Sequence, residues 1–220
     1  MILLCSNNNT FAQIGFSLTG KNLELPPGEN KIITSDLPEN MEGSPFLDEN
    51  WREGSIILNS NDTIPVILLR YNALNGEMQY MREKTAYAIG APDLIKELYI
   101  EDRMFVYLPY KDGDELKKSF FEVLCPGQNS LIVLHSPEVL KSNYNAILNS
   151  GNKNDRLSIK RKYYLKTKDN IFLIDKMGKN YIEEFGDNQK SIQEFVDTKR
   201  ISFKKESDLI EIIKFTNTLK

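Results

Sequence analysis

The sequence predicts an α+β protein, mainly β: an antiparallel meander of hairpins with a short C-terminal helical segment packed on it. Three observations carry that prediction. Between Trp51 and Tyr110 the chain is a series of short segments rich in Ile, Val, Leu, Tyr and Phe, each closed by Asn, Asp or Gly. That composition and punctuation belong to strands joined by tight turns. Turn chemistry recurs at Lys111–Glu115, Cys125–Gln128 and Thr167–Asn170, where Gly, Pro, Asn and Asp supply the backbone angles a reversal needs. After Gly178 the apolar spacing changes from the strand period to the helical one. The expected organisation is a leader remnant over 1–13, an N-terminal arm over 14–50, an antiparallel β domain over 51–176 and a helical cap over 177–220.

The first thirteen residues read as the end of a signal peptide. Thr10 and Ala12 occupy the small-residue positions of a cleavage site, which makes Gln13 the first mature residue. Met1–Leu4 is too short for a full apolar region and lacks a basic flank, so the start of the signal is expected upstream of Met1. Cys5 follows Leu4, whereas a lipoprotein site wants a small residue there. From Ile14 to Asn50 the chain is loop-like, broken by Pro26-Pro27-Gly28, Pro38, Gly43 and Pro45. Leu23 and Leu25 alternate with Asn22 and Glu24, and Ile32-Ile33 is a short extended candidate. Trp51 is expected to anchor the first full strand.

In the β region the expected strands are Gly54–Leu58, Ile64–Tyr71, Glu77–Met81, Thr85–Ile89 and one long strand over Leu98–Leu108. The two-residue period puts Leu68 and Arg70 on one face and Leu69 and Tyr71 on the other. Pro65 cannot donate to a ladder, so its strand should begin there or lie at an edge. Ala91–Lys96 is expected to form one helical turn. Hairpins follow at Phe120–Leu124 with Ser130–Leu134, and at Leu157–Lys166 with Ile171–Ile174. Ser136–Arg156 reads as irregular, with a weak helical segment at Val139–Leu148. Helices are expected over Lys179–Phe185, stopped by Gly186, then from an Asp187 N-cap to about Lys199, and over about Glu206–Thr218. Ile192, Phe195 and Val196 form one apolar face; Leu209, Ile210, Ile212, Ile213 and Phe215 form another.

Composition excludes several roles. A net charge of −3 opposes non-specific nucleic-acid binding, which needs a basic face. No run reaches the ~20 apolar residues of a membrane-spanning helix. Loss of the leader leaves Cys125 as the one cysteine, a small buried hydrophobe rather than a reactive thiol, since no His or Lys adjoins it in sequence. His135 is the single histidine, and ligand counting makes it a satisfied or exposed strand-end residue rather than part of a metal site. Asp112, Asp114 and Glu115 crowd a turn but lack the full calcium-loop pattern. Lys160-Arg161-Lys162 with Tyr163-Tyr164 reads as a half-exposed strand, Lys160, Lys162 and Tyr164 on one face. The 11 Phe and 10 Tyr residues are the default filling of a sheet core. No nucleophile elbow, zinc-protease motif or phosphate loop occurs, and the residues mark out no catalytic, cofactor-binding or metal site.

Several stretches together carry a resemblance. Gly54–Leu58 leading to Leu68–Asn72, then Phe121–Leu124, Tyr144–Ala146, Lys162–Lys166 and Lys204–Ile210, resemble uncharacterised exported proteins of Bacteroidetes. The likeness runs in the same order over most of residues 50–219. It implies export and a small β protein with a helical C-terminal piece; it implies no activity. The expected role is therefore a non-catalytic, exported binding protein of the cell envelope (periplasmic, outer-membrane-associated or secreted), its partner an unknown protein or envelope component. The alternative is a periplasmic or secreted hydrolase with a carboxylate or serine site, and a weaker third is an outer-membrane structural role. The two leading readings differ physically: an enzyme needs a pocket with convergent acids, a binder a free strand edge or open patch.

Overall fold

A computed structural model describes residues 37–144, 147–174 and 178–219. The expected leader remnant and the expected arm up to residue 36, including the extended candidates there, lie outside the described residues. The chain is mostly β, one large sheet with a few helices near its C-terminus.

The first strand, β1, is only Met41–Glu42. Phe46 and Trp51 then flank the Arg70 guanidinium, which lies 3.5 Å over one ring and 4.3 Å over the other; Trp51 thus anchors the start of β2 (Arg52–Leu58) as expected. Strand β3 (Thr63–Asn72) buries Leu69 and Tyr71 and turns Leu68 outward. Pro65 falls inside this strand, opposite a bulge between Gly54 and Ile56, where β4 does not reach. A proline is tolerated there because no ladder partner waits for its missing N–H. Gly54 is required at the same place, since a Cβ would run into the Tyr99 carbonyl. Strands β4 (Glu77–Arg82) and β5 (Thr85–Ala88) complete the first half.

A 3-10 turn at Pro92–Leu94 leads into β6 (Ile95–Ile100) and β7 (Arg103–Asp112). The single long strand expected over Leu98–Leu108 is thus two, reversed at Glu101-Asp102, with Glu101 at φ 52°. Strands β8 (Glu115–Cys125) and β9 (Ser130–Leu140) meet across the expected Pro-Gly turn. Strand β9 runs through Pro137, where an irregular stretch was expected, because beyond Val133 it pairs, among the described residues, only with β10 (Asp155–Lys166). Val139 and Leu140 are strand residues, so no helix begins there. Strand β11 (Ile171–Leu173) closes the last hairpin.

Strand order is β1-β10-β9-β8-β7-β6-β2-β3-β4-β5, with β11 on β10, and every pairing is antiparallel except β1 with β10. This corrects the simple meander: β6 pairs with β2, not β5, so two meanders are joined back to back. Helices α1 (Lys179–Glu183), α2 (Gln189–Lys199) and α3 (Glu206–Thr216) follow. The first of these ends at Glu183, two residues short of the expected Phe185, and Gly186, at φ 46°, opens the 3-10 turn that follows instead of stopping the helix; Asp187 is inside that turn and Asn188 precedes α2.

Three apolar clusters share β8. Phe120 enters one with Leu69, Met78, Leu98 and Phe105. Its neighbour Phe121, on the opposite face, enters another with Ile132, Leu134 and Tyr164. Cys125 joins Leu131 and Leu165 beneath Tyr181, Ile192, Leu209, Ile212 and Ile213 of the helices. The helical stripes read from sequence thus have the sheet as their partner.

Candidate functional site

Two features of the sheet have chemical content: a buried charge cluster at its centre and a gap along one edge. The cluster forms on β8. Phe105 stands opposite Glu122 on β7, and Val133 stands opposite it on β9. Arg103 and His135, two residues along from these, are therefore same-face diagonal neighbours of Glu122. Arg103 donates to both carboxylate oxygens, Nε to Oε1 at 2.8 Å and Nη2 to Oε2 at 2.9 Å. His135 Nε2 lies 2.7 Å from Oε2.

Burial opposes the charge on Glu122, which is 7% exposed. Hydrogen bonds from His135 and Arg103, with their charges, outweigh that burial and hold its carboxyl down to about 2. The Tyr71 ring stands edge-on to His135 at 6.3 Å. Burial pushes the Tyr71 phenol up to about 12, partly offset by Ser119.

Just outside, the sheet divides. Pairing of β8 with β9 ends at Glu122 and Val133, whereas β7–β8 and β9–β10 continue to their tips. The cleft between them holds about 370 Å³ and is lined by Gly76, Lys117, Ser119, His135 and Ser136 among others. His135, placed at a strand end by its sequence context, is in mid-strand and 3% exposed. Its imidazole therefore sits in the cleft wall with almost no surface open to a molecule within it. Glu122 is likewise committed to two donors. The arrangement is built to hold a charge still, and a general base needs hydrogen-bond reach to its substrate.

The edge gap lies on β10. On one side this strand pairs with β9 from Arg156 to Lys166. On the other, β1 covers Asp155 and Arg156, and β11 covers Tyr164 to Lys166. Backbone direction alternates along a strand, and three contacts fix it here. Asp155 N–H donates to the Asn40 carbonyl, Gly43 abuts the Leu157 carbonyl, and Ile174 N–H donates to the Tyr163 carbonyl. Odd-numbered residues of β10 thus point their N–H and C=O groups outward. Those of Ile159 and Arg161 face the gap, and among the described residues no strand pairs with them.

The side chains around the gap are basic. Lys160, Arg161 and Lys162 are exposed. Lys160 Nζ lies 3.3 Å from Glu138, and Arg161 lies 2.6 Å from Glu206 of α3. Glu206 also accepts from the Tyr163 hydroxyl at 3.1 Å. Ile159 packs against the first apolar cluster. The half-exposed strand read from sequence is correct at Lys160–Lys162 but fails at Tyr164 and Leu165, which are buried on opposite faces.

A groove of about 800 Å³ opens between the β7–β8 and β10–β11 hairpins, over Leu108, Tyr110, Leu116, Ile171 and Phe172. The other residues singled out in the sequence have structural roles. Cys125 is buried and burial raises its thiol pKa. Asp112 and Glu115 both pair with Lys117, at 2.7 and 3.1 Å. Lys117's hydrogen bond and charge, with a smaller contribution from Lys162, lower the Asp112 carboxyl. Sequence reasoning missed Arg103, Glu122 and the edge at Ile159 and Arg161. Composition carries no signal for these, because each depends on which strands lie side by side. No protein-family model matches the chain, and no curated protein and no solved structure matches it either.

Proposed function

We propose that this is a non-catalytic, exported protein of the cell envelope that binds its partner by taking an extended segment as an extra strand along β10. The observation that carries this reading is the gap between β1 and β11, where the backbone groups of Ile159 and Arg161 point outward without a described partner strand. Unpaired strand groups form a template for another chain, with main-chain hydrogen bonds giving affinity and alternate side chains specificity. The enclosure of His135 and the double engagement of Glu122 favour this over the hydrolytic alternative. Export rests on the Thr10–Ala12 pattern and the family resemblance.

The test is Arg161→Pro, with Arg161→Ala as the side-chain control. Proline removes an N–H that points away from β9, so the sheet ladder is left intact while the edge loses a donor. In quantitative pull-downs from envelope fractions, partners held by the wild type and by Arg161→Ala are expected to be lost from Arg161→Pro, with circular dichroism unchanged. Equal recovery by all three, or turnover in a hydrolase screen, overturns the reading. N-terminal sequencing of the native protein decides export: Gln13 is the expected first residue, and an intact Met1 on cytoplasmic material refutes it.

A further inference from the structure

We infer that the segment taken up along β10 is acidic, with carboxylates at every second position and apolar residues between them. The inference rests on the reading of β10 as the docking edge and adds the chemistry of its occupant. From Arg156 to Lys166 the charged residues of β10 are Arg156, Lys160, Arg161, Lys162 and Lys166, all basic. A strand added beside β10 projects its side chains onto the same two faces, with opposed Cβ atoms about 5 Å apart. On one face it meets Ser158, Lys160 and Lys162; both ammonium groups are in reach of solvent, with Lys160 3.3 Å from the half-exposed Glu138 and Lys162 the stronger draw for a carboxylate. On the other it meets Ile159 and Arg161, the latter already neutralised by Glu206. Carboxylates answer the first face and aliphatic side chains the second.

Two other occupants fit less well. A second copy of this chain docking through its own β10 sets lysine against lysine, and like charges directly opposed are destabilising. A nucleic acid offers phosphates to the lysines but no strand groups to Ile159 and Arg161, and the net charge of −3 opposes it. Lysines on an edge also discourage unwanted pairing. That guarding role and selection of an acidic strand make different predictions.

The experiment uses fluorescence anisotropy with the full chain and three labelled heptapeptides. One alternates Glu and Val, one alternates Lys and Val, and the third is the Glu–Val peptide with alternate backbone nitrogens methylated. The Glu–Val peptide is expected to bind about tenfold more tightly than the Lys–Val peptide, the effect of two exposed charge pairs together. Binding should weaken with salt, with N-methylation and in Arg161→Pro. The double variant Lys160→Glu/Lys162→Glu should reverse the preference. Equal binding of both unmethylated peptides, still sensitive to Arg161→Pro, overturns the acidic occupant and leaves the docking edge standing. Binding that ignores N-methylation and Arg161→Pro is charge attraction alone and overturns both, and so does an edge that takes none of the peptides.

Discussion

Glu122 is a carboxylate that folding removes from water and surrounds with donors on both sides, Arg103 from β7 and His135 from β9. Taking away one member of such a set leaves a partly buried guanidinium without its counter-charge, which typically costs about 3 kcal/mol. Glu122→Gln keeps the volume and loses the charge, so a loss of that order is expected at neutral pH. The pH dependence follows from the direction of the shift. The folded carboxyl titrates at about 2 against an ordinary 4.5, so on acidification the unfolded chain takes up the proton first. The margin of the wild type over Glu122→Gln should be full above about pH 4.5, shrink as the pH falls through that value, and vanish near pH 2. Urea midpoints at several acidic pH values measure it, and a pH-independent margin refutes the assignment. Little of this was legible in the sequence. His135 reads from sequence only as a satisfied or exposed strand-end residue, because Glu122 lies 13 positions away and meets it only through a cross-strand diagonal.

The hairpins show which elements a sequence declares. Where Gly, Pro or Asn marks the reversal, as at Gly113, Pro126-Gly127 and Thr167–Asn170, the turn falls where it was expected, although β7, β8 and β9 run past the expected Leu108, Phe120 and Leu134 to Asp112, Glu115 and Leu140. At Glu101-Asp102 the reversal is hidden, because no Gly or Pro marks it and two strands read as one. Glu83-Lys84, also charged, does separate two strands where the sequence places them, with φ of 50° and 68° at successive residues. A two-residue turn with both angles positive favours Asn-Gly, and an ordinary L-residue in the left-handed region is strained by about 1 kcal/mol or more. Glu83→Asn with Lys84→Gly should therefore stabilise the protein by about 1–2 kcal/mol. The stacked pair Tyr80 and Tyr87, centroids 5.4 Å apart, holds the hairpin's register in either version. Chemical denaturation of the double variant provides the check, and an unchanged or lower midpoint refutes the strain. Pro137 misled in the opposite sense: it marks a strand with one free side, and a sequence does not say which side of a strand is free.

At the scale of the whole molecule, the sheet is divided beyond Glu122 and Val133 yet bound together behind them. Strand β8 is the common wall: Phe120, Phe121 and Cys125 each belong to a different apolar cluster. The helices cover one of those clusters, their Leu209, Ile212 and Ile213 fully buried against Leu131 and Leu165. That a helical cap must cover the sheet was legible from the width of its apolar stripe; which strands it covers was not, because strand order is a long-range property. A shared wall implies shared unfolding. Ile212→Ala should cost about 2–5 kcal/mol, the range for truncating a buried aliphatic side chain. Because β8 couples the clusters, that loss should register at the far end as well as locally. Trp51, the one tryptophan, reports the end where it packs on Arg70, and the Cys125 thiol reports the helical end. In urea the Trp51 fluorescence transition and the onset of Cys125 thiol reactivity should shift together in Ile212→Ala. A Trp51 transition that stays at the wild-type midpoint while Cys125 becomes reactive earlier means that the helices peel away on their own, and that β8 divides the clusters instead of joining them.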